Sequence, residues 1–317
     1  MKKRPMLFAL IFTLALAACT KATALPEAAA ATAEAQQTPT PQAAILYVPI
    51  LAVNTSDPSK GMVYLEDPAT SERSPYLELS DLYSDHYHPV EYQAGSLFVI
   101  RRFDYTGLGD DDWRSELWVY DAAKNGRMVF AGKSLDFRAS PDGMTVAASD
   151  NERLYFMDTG GNAFAQLSAA QLGGSLPGAQ DASIALEGWS DNGKRFWGHL
   201  FAASQVLGFY EANATGGKIK SYDLSAVPFS GQEYALNPNN GIMVFSDYPR
   251  FFDADSADRF KNSGTTVTLY LLDLNNMALT SIATNTAASF NPQWSGDDRV
   301  QYDDPGAPGQ RLEYALK

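Results

Sequence analysis

The feature that most constrains the fold is a turn-and-strand unit that recurs about every 50 residues. In each copy a short turn ends in Gly and an apolar, strand-like run follows it; the four turns end at Gly95, Gly143, Gly193 and Gly241. A fifth copy, Ser295–Tyr302, has Asp298 at the corresponding position. Gly adopts positive φ without strain, and Asp tolerates it better than most residues. We therefore expect a tight turn with positive φ at all five positions.

A second motif follows each unit: an apolar strand that is usually closed by an acidic residue. The acids are Asp67, Asp121, Asp158, Glu211 and Asp273, and the sixth copy, Leu312–Leu316, has none. A carboxylate at the start of a turn accepts backbone N–H groups two residues further on, so we expect a structural role for these acids. No long stretch has the 3.6-residue period of a helix, and the sequence therefore predicts an all-β chain.

Together the two motifs resemble the repeat of TolB-like (WD40-like) β-propellers, with the best copies at 137–167 and 188–224. The resemblance covers about residues 45–317 and implies a six-bladed β-propeller of four-stranded blades, with strands A to D from the axis outward. The domain is predicted to span 44–317. The first blade lacks a recognisable strand A and the last lacks a strand D. Either part of 37–48 completes the last blade, or the ring closes by packing alone.

The N-terminus predicts export and anchoring. A basic start, Met1–Arg4, precedes an apolar stretch that is too short to cross a bilayer. Leu16-Ala17-Ala18-Cys19 then resembles the lipobox of bacterial lipoproteins, and Cys19 is the only cysteine. We expect a lipoprotein signal peptide over 1–18, then a lipidated Cys19 and a flexible, disordered linker over 19–43. The protein would be exported and held by its N-terminal lipid outside the cytoplasm, in the periplasm or at the cell surface. The alternative is an ordinary secretory signal with an incidental cysteine.

Charge and composition exclude several functions. The formal net charge of −13 argues against nucleic acid as a partner. The single cysteine excludes an internal disulfide. Hydrolase, metalloprotease and nucleotide-binding motifs are absent from the sequence, so no catalytic residue and no cofactor is predicted.

Three sequence patterns could hold a metal ion: His86-Tyr87-His88, Asp110-Asp111-Asp112, and the spaced acids Asp253, Asp255 and Asp258. Two histidines at i and i+2 share one face of a strand, but a third ligand is not evident. The acidic stretches lack the Gly that a regular calcium loop places at its sixth position. Inner-strand packing and solvated acidic loops are the favoured interpretations, and no metal site is predicted.

The candidate binding residues lie on two long loops that are predicted to share a face of the propeller. The B–C loop of the second blade runs near Arg101–Ser115, and that of the fifth runs near Ser246–Gly264. Arg and aromatic side chains are enriched at interface hot spots. The candidates are Arg102, Phe103, Tyr105, Trp113, Tyr248, Arg250, Phe251 and Phe252. The alternative is that these rings fold down and form small cores within their own loops.

The resemblance implies a binding function more than an enzymatic one. The predicted function is an envelope-anchored propeller scaffold that binds a protein or a ligand, the partner being an envelope protein or a glycan. The alternative is an enzyme that processes glycans or small molecules with acidic residues in the propeller channel. Two carboxyl groups about 5–9.5 Å apart in the channel, one with a raised pKa, would favour the enzyme.

Overall fold

The computed structural model describes residues 47–82, 88–104, 113–203 and 205–316; within these, the side chains of residues 103, 104 and 113 are not described. The chain divides into two compact units after Ala44, and all of the described residues belong to the second unit, Ile45–Lys317. The described part of the chain is all-β, with 52% of its residues in strands and 6% in helices. No helix in these ranges combines the length and the apolar character that a membrane crossing requires.

Within the described ranges, 22 strands form six antiparallel sheets, each built from strands that are consecutive in the chain. The first sheet holds β1 (Val48–Val53), β2 (Gly61–Glu66) and β3 (Arg73–Leu79). The second holds β4 (Val90–Gln93), β5 (Ser96–Asp104), β6 (Trp113–Tyr120) and β7 (Gly126–Gly132). The third holds β8 (Asp136–Ala139), β9 (Thr145–Ser149), β10 (Arg153–Asp158) and β11 (Ala163–Ser168). The fourth holds β12 (Ser183–Trp189), β13 (Arg195–Ala202), β14 (Gln205–Asn213) and β15 (Lys220–Asp223). The fifth holds β16 (Tyr234–Asn237), β17 (Ile242–Ser246), β18 (Thr266–Asp273) and β19 (Ala278–Thr286). The sixth holds β20 (Gln293–Trp294), β21 (Arg299–Asp303) and β22 (Arg311–Ala315).

Apolar clusters between consecutive sheets form the core. The central strand β5 sends Leu97 and Val99 into a cluster shared with the first sheet. Its alternate residues Phe98 and Ile100 enter a cluster shared with the third sheet. The third and fourth, fourth and fifth, and fifth and sixth sheets share clusters in the same way. A central strand buried on both faces must be apolar at every position, which explains the continuous hydrophobic runs after each Gly turn.

The predicted glycine turns are confirmed at four of the five positions: φ is 86° at Gly95, 67° at Gly143, 64° at Gly193 and 71° at Gly241. The prediction for Asp298 is wrong. In that turn the positive φ, 79°, lies at Gly296, two residues earlier. Because Gly296 already provides the left-handed residue, the turn does not require Asp298 to adopt that conformation.

The acidic turn starts are confirmed at four of the five positions, where the carboxylates accept backbone N–H groups within their turns: Asp67, Asp121, Asp158 and Asp273. Glu211 is the exception. Its carboxylate accepts the hydroxyl of Tyr222 at 2.8 Å within the sheet, and the side chain of Asn213 instead accepts the N–H groups of Thr215 and Gly217. Glu211 stands two residues before the turn, so the shorter Asn213 side chain is the one that reaches the turn amides.

The connection over 168–183 is part of the core. Ser168 and Gln171 form a capping box at the start of α1 (Ala169–Gly173). A short 3₁₀ helix, Ala179–Asp181, follows before β12. Leu172 and Leu176 are buried among residues of the third and fourth sheets, so this segment fills the space between them. The remaining helix, α2 (Ala254–Lys261), is exposed and lies between β17 and β18.

Candidate functional site

A network of polar side chains lies where the first strands of neighbouring sheets meet, at what we call the inner edge. β4 contacts β8, and β8 contacts β12, along this edge. Strands β8 and β12 are apolar at their buried positions, but at the inner edge they carry charged side chains. The inner-edge network consists of Glu91, Asp136, Arg138, Glu187, His199 and Tyr234. Its members come from four consecutive sheets, so the fold brings together residues that are far apart in the chain.

Arg138 is the centre of the first half of the network. Its Nη1 lies 3.0 Å from Oδ1 of Asp136 and 3.9 Å from Oε1 of Glu91, and it also donates to the carbonyl of Phe137. Its Nε donates to the carbonyl of Glu187 at 3.2 Å. The pairing of β12 with β13 shifts register at Glu187, and the carbonyl oxygen of Glu187 accepts this hydrogen bond from Arg138 of the third sheet. The guanidinium is thereby held in place by two sheets.

Glu91 faces Arg138 from the second sheet. Its Oε2 accepts the backbone N–H of Ala139 at 2.7 Å, and its side chain is only 23% exposed. Burial raises the pKa of Glu91 to about 7, while the Ala139 hydrogen bond and the charge of Arg138 oppose that rise. Oxygens of Glu91 and Asp136 both lie near the same nitrogen of Arg138, so they are at most about 7 Å apart. A carboxyl group with this pKa can exchange a proton near neutral pH.

Glu187, His199 and Tyr234 form the second half of the network. Oε1 of Glu187 lies 2.7 Å from Nδ1 of His199 and accepts the Tyr234 hydroxyl at 2.7 Å. Burial, followed by the Glu187 charge, raises the pKa of Tyr234 far above its usual value. Tyr234 therefore keeps its proton and acts as a hydrogen-bond donor. His199 also packs against the ring of Phe209 at a centroid distance of 5.6 Å, which orients the imidazole.

A cleft of about 350 Å³ opens beside Glu91 and Arg138. This volume is within the range of small-molecule sites. Strands β4, β8 and β12, the turns that follow β8 and β12, and Tyr47 supply its walls. The lining residues are Tyr47, Glu91, Tyr92, Gln93, Arg138, Ala139, Pro141, Gly188, Trp189 and Asp191. A Cβ atom added at Gly188 would meet no atom within 4 Å, so this wall faces open space. The cleft combines charged groups with aromatic rings.

The predicted loop of the second blade is shorter than expected. The sequence predicts a loop over Arg101–Ser115, but β5 continues to Asp104 and β6 begins at Trp113, with these two residues paired across the hairpin. Cross-strand pairing of Arg101–Asp104 with residues 113–116 extends the sheet through the polar stretch. Of the candidates here, Arg102 and Phe103 lie in β5 and Trp113 in β6, and Tyr105 is outside the described residues.

Arg102 is the one candidate of this hairpin whose side chain is described. Its Nη2 donates to the carbonyl of Leu135 at 3.5 Å, so it contacts the segment that leads into β8.

Cys19, the predicted lipidation site, also lies outside the described residues.

In the fifth sheet, the candidate aromatic residues pack on each other. The rings of Tyr248 and Phe251 lie 5.6 Å apart, and both pack on Phe260 of α2 at 5.5 and 5.2 Å. We call these three residues the loop cluster; this arrangement corresponds to the alternative in which the rings fold down. Phe252 is 81% exposed, and the guanidinium of Arg250 lies 5.3 Å from its ring. Binding through Phe252 and Arg250 stays a prediction.

Two residues of the candidate metal patterns, His88 and Asp253, have structural roles. Nδ1 of the buried His88 lies 3.1 Å from the carbonyl oxygen of Ile100, whereas residues 86 and 87, and 110 to 112, are outside the described ranges. Asp253 is the N-cap of α2 and accepts the Ser256 N–H at 2.7 Å, which lowers the pKa of Asp253. Among the described residues, no three His, Cys, Asp or Glu side chains are grouped so that they could hold a metal ion.

The inner-edge network was not predicted from the sequence. The predicted sites were acids at turns and aromatic residues on loops, whereas most network residues lie in the first strands of their sheets. One signal was available: charged residues interrupt the strands that directly precede the glycine turns, as in Val90-Glu91-Tyr92, Asp136-Phe137-Arg138 and Leu186-Glu187-Gly188. An ionisable residue inside an otherwise buried strand is unusual unless it is paired or functional.

Structural comparisons support a β-propeller. TolB from Acinetobacter baumannii is 15% identical over 74% of this chain and 51% of its own, with a TM-score of 0.44, so the chain spans about half of its length. An oligogalacturonate lyase in complex with manganese is 14% identical over 82% of this chain and 74% of its own, with a TM-score of 0.50. An oligogalacturonate lyase from Vibrio parahaemolyticus is 14% identical over 81% and 74%, with a TM-score of 0.51.

Sequence comparison adds no relative: no protein-family profile and no curated protein matches the chain. At these identities the structural similarity establishes the fold alone. The repeated sheets and the similarity to the two oligogalacturonate lyases together give the chain a β-propeller fold.

Proposed function

We propose that this protein is an extracytoplasmic lipoprotein whose six-bladed propeller binds a ligand in the inner-edge cleft. One observation carries the proposal: charged side chains from consecutive sheets converge beside a cleft of small-molecule size. Apolar residues at these strand positions would stabilise a propeller at least as well, because even paired charges pay a desolvation cost when they are taken out of water. The convergence of Glu91 and Arg138 on an open cleft therefore supports recognition of a ligand.

The six-bladed arrangement is supported by the order of the sheets. Each core cluster joins one sheet to the next in the chain, as successive blades are joined in a propeller. The first and sixth sheets have three strands each, and the other four sheets have four. Residues upstream of Tyr47 are the remaining candidates for completing a terminal blade.

The anchor is supported by sequence alone, through the Leu16-Ala17-Ala18-Cys19 motif. Expression of the full chain as wild type and as Cys19→Ala, followed by detergent phase separation, tests it. We expect the wild type in the detergent phase and the variant in the aqueous phase, since a diacylated cysteine anchors stably. Equal partitioning of both forms contradicts the anchor.

Ligand binding in the cleft is tested with the small-molecule fraction of a bacterial envelope extract and native mass spectrometry of the purified propeller. We expect a bound species with the wild type and with Phe252→Ala, and a loss of that species with Glu91→Gln. Phe252→Ala is the matched control because this exposed ring lies on the loop of the fifth sheet. Capture of an envelope protein that depends on Phe252 and not on Glu91 would instead assign binding to the loop of the fifth sheet.

A second candidate function, an enzyme, is favoured by one specific observation. Glu91 and Asp136 are two carboxyl groups whose facing oxygens are at most about 7 Å apart, and burial raises the pKa of Glu91 to about 7. A protonated and an ionised carboxyl group at such a separation can act as acid and base on a glycosidic bond. Turnover of an oligosaccharide panel that is lost in both Glu91→Gln and Asp136→Asn would establish this activity, and absence of turnover with intact binding would exclude it for that panel.

A further inference from the structure

We propose that the cleft recognises a small organic cation, of the alkylammonium or quaternary ammonium class, with Glu91 as its counter-ion. This inference rests on the proposed binding function and deepens it by assigning the charge of the ligand. It follows from the way in which the charges around the cleft are already paired.

Arg138 does not fully compensate Glu91. Three donors of its guanidinium reach the carboxylate of Asp136 and the carbonyls of Phe137 and Glu187. From Nη1 to Oε1 of Glu91 the distance is 3.9 Å, which exceeds hydrogen-bond length. The closest partner of Glu91 is therefore the neutral N–H of Ala139. An ionised Glu91 beside the cleft is therefore compensated only by this long ion pair, to an Arg138 nitrogen that lies closer to Asp136.

The rest of the lining favours a positive ligand over a negative one. Asp191 adds a second carboxylate at the turn after β12. Among the described lining residues the one cationic side chain is Arg138, which already contacts Asp136. Tyr47 and Tyr92 add aromatic rings, 6.4 Å apart and nearly perpendicular. Aromatic rings attract organic cations through the negative faces of their π systems, and a carboxylate supplies the countercharge. An anionic ligand would meet two carboxylates.

Choline tests this assignment with two matched compounds. It carries a permanent positive charge, 3,3-dimethylbutan-1-ol has almost the same shape without the charge, and 3,3-dimethylbutanoate carries a negative charge. Isothermal titration calorimetry with the purified propeller at pH 8.5 measures all three. We expect measurable binding for choline and at least about tenfold weaker binding for the neutral and anionic compounds. Equal affinity for choline and the neutral compound overturns the cation assignment, and so does the absence of choline binding.

The pH dependence of choline binding identifies the counter-ion. Choline keeps its charge at every pH, so any change in affinity belongs to the protein. The charged groups near Glu91 are Arg138 and Asp136 on β8, with Asp191 lining the cleft from the turn after β12. Because Glu91 has a pKa of about 7, we expect affinity about tenfold lower at pH 6 than at pH 8.5. An affinity that does not change with pH overturns the role of Glu91.

Three variants complete the design. Glu91→Gln keeps an oxygen that can accept the Ala139 N–H, so it should fold while losing both the choline affinity and its pH dependence. Asp191→Asn should weaken binding less and keep the pH dependence. Glu72→Gln, at an exposed turn between β2 and β3, should bind as the wild type does. A thermal unfolding curve for each variant confirms that it is folded.

The two proposals fail separately. An extract ligand that binds through Glu91 while choline does not bind retains the binding function and overturns the cation assignment. Loss of choline binding in Glu72→Gln as well as in Glu91→Gln overturns the cleft as the site.

Discussion

The inner-edge network and the loop cluster both hold polar and aromatic residues, but their side chains are arranged in opposite ways. Tyr248 and Phe251 on the loop of the fifth sheet contact each other and Phe260, so their rings are packed within the loop itself. Glu91 lines a cleft and makes its closest hydrogen bond to a backbone N–H. Residue type alone does not identify a binding site. The contacts that a side chain already makes within the protein decide whether it is available to a ligand.

The largest expected effect concerns the pH dependence of stability at Glu91. Burial raises the pKa of Glu91 from 4.5 to about 7, so the native state binds more protons than the unfolded chain between these values. The contribution of Glu91 to stability is therefore present at low pH and is lost as pH rises through about 7. In Glu91→Gln this loss should be absent. The free energy of unfolding of the variant, relative to wild type, should increase between pH 4.5 and 8.5 by at most about 3 kcal/mol.

Urea unfolding of both proteins at several pH values measures this difference, in which the other titrating groups largely cancel. A difference that stays constant with pH would mean that Glu91 has an ordinary pKa, and the contrast between the cleft and the loop cluster would lose its electrostatic basis.

A smaller effect is expected in the loop cluster. Phe251→Ala removes a half-buried ring that packs on Tyr248 and Phe260, and should lower the free energy of unfolding by about 2 kcal/mol. Phe252→Ala removes a neighbouring ring that is 81% exposed, and should change stability by less than about 0.5 kcal/mol. Thermal unfolding of both variants measures this contrast. Equal effects would show that the loop cluster is not packed in solution.

A still smaller effect is expected at the N-cap of α2. Asp253→Ala removes the acceptor of the Ser256 N–H and should lower Tm by about 2 °C. Addition of calcium should leave the wild-type Tm unchanged, because Asp253 is already occupied by its own helix. A calcium-dependent rise in Tm that disappears in Asp253→Ala would show that the acidic segment binds calcium, and would assign a binding function to this loop.

The sequence predicted the repeated turns well, but it did not predict which distant side chains come together at the inner edge. Gly143 and Asp158 were predictable because a tight turn and a turn-start carboxylate are local requirements. Asp298 and Glu211 were mispredicted because a nearby Gly296 or Asn213 meets the same requirement equally well.

The inner-edge network could not be predicted in the same way. Glu91, Arg138 and Glu187 are each separated by nearly 50 residues, and their contact depends on how neighbouring sheets pack. The register shift at Glu187 adds a local irregularity that no repeat reveals. Aromatic residues on loops suggested a binding surface, whereas Tyr248 and Phe251 proved to be packed within the loop.

Hydrogen exchange on ligand binding tests most directly whether recognition belongs to the cleft. With choline as the probe, mass spectrometry should show slower amide exchange in peptides that cover residues 90–93, 136–139 and 183–191, since these strands and the turn after β12 form the cleft walls. Peptides that cover 246–264 should exchange at the same rate with and without choline. Protection of 246–264, with no change at the inner-edge strands, would contradict the account and return recognition to the loops.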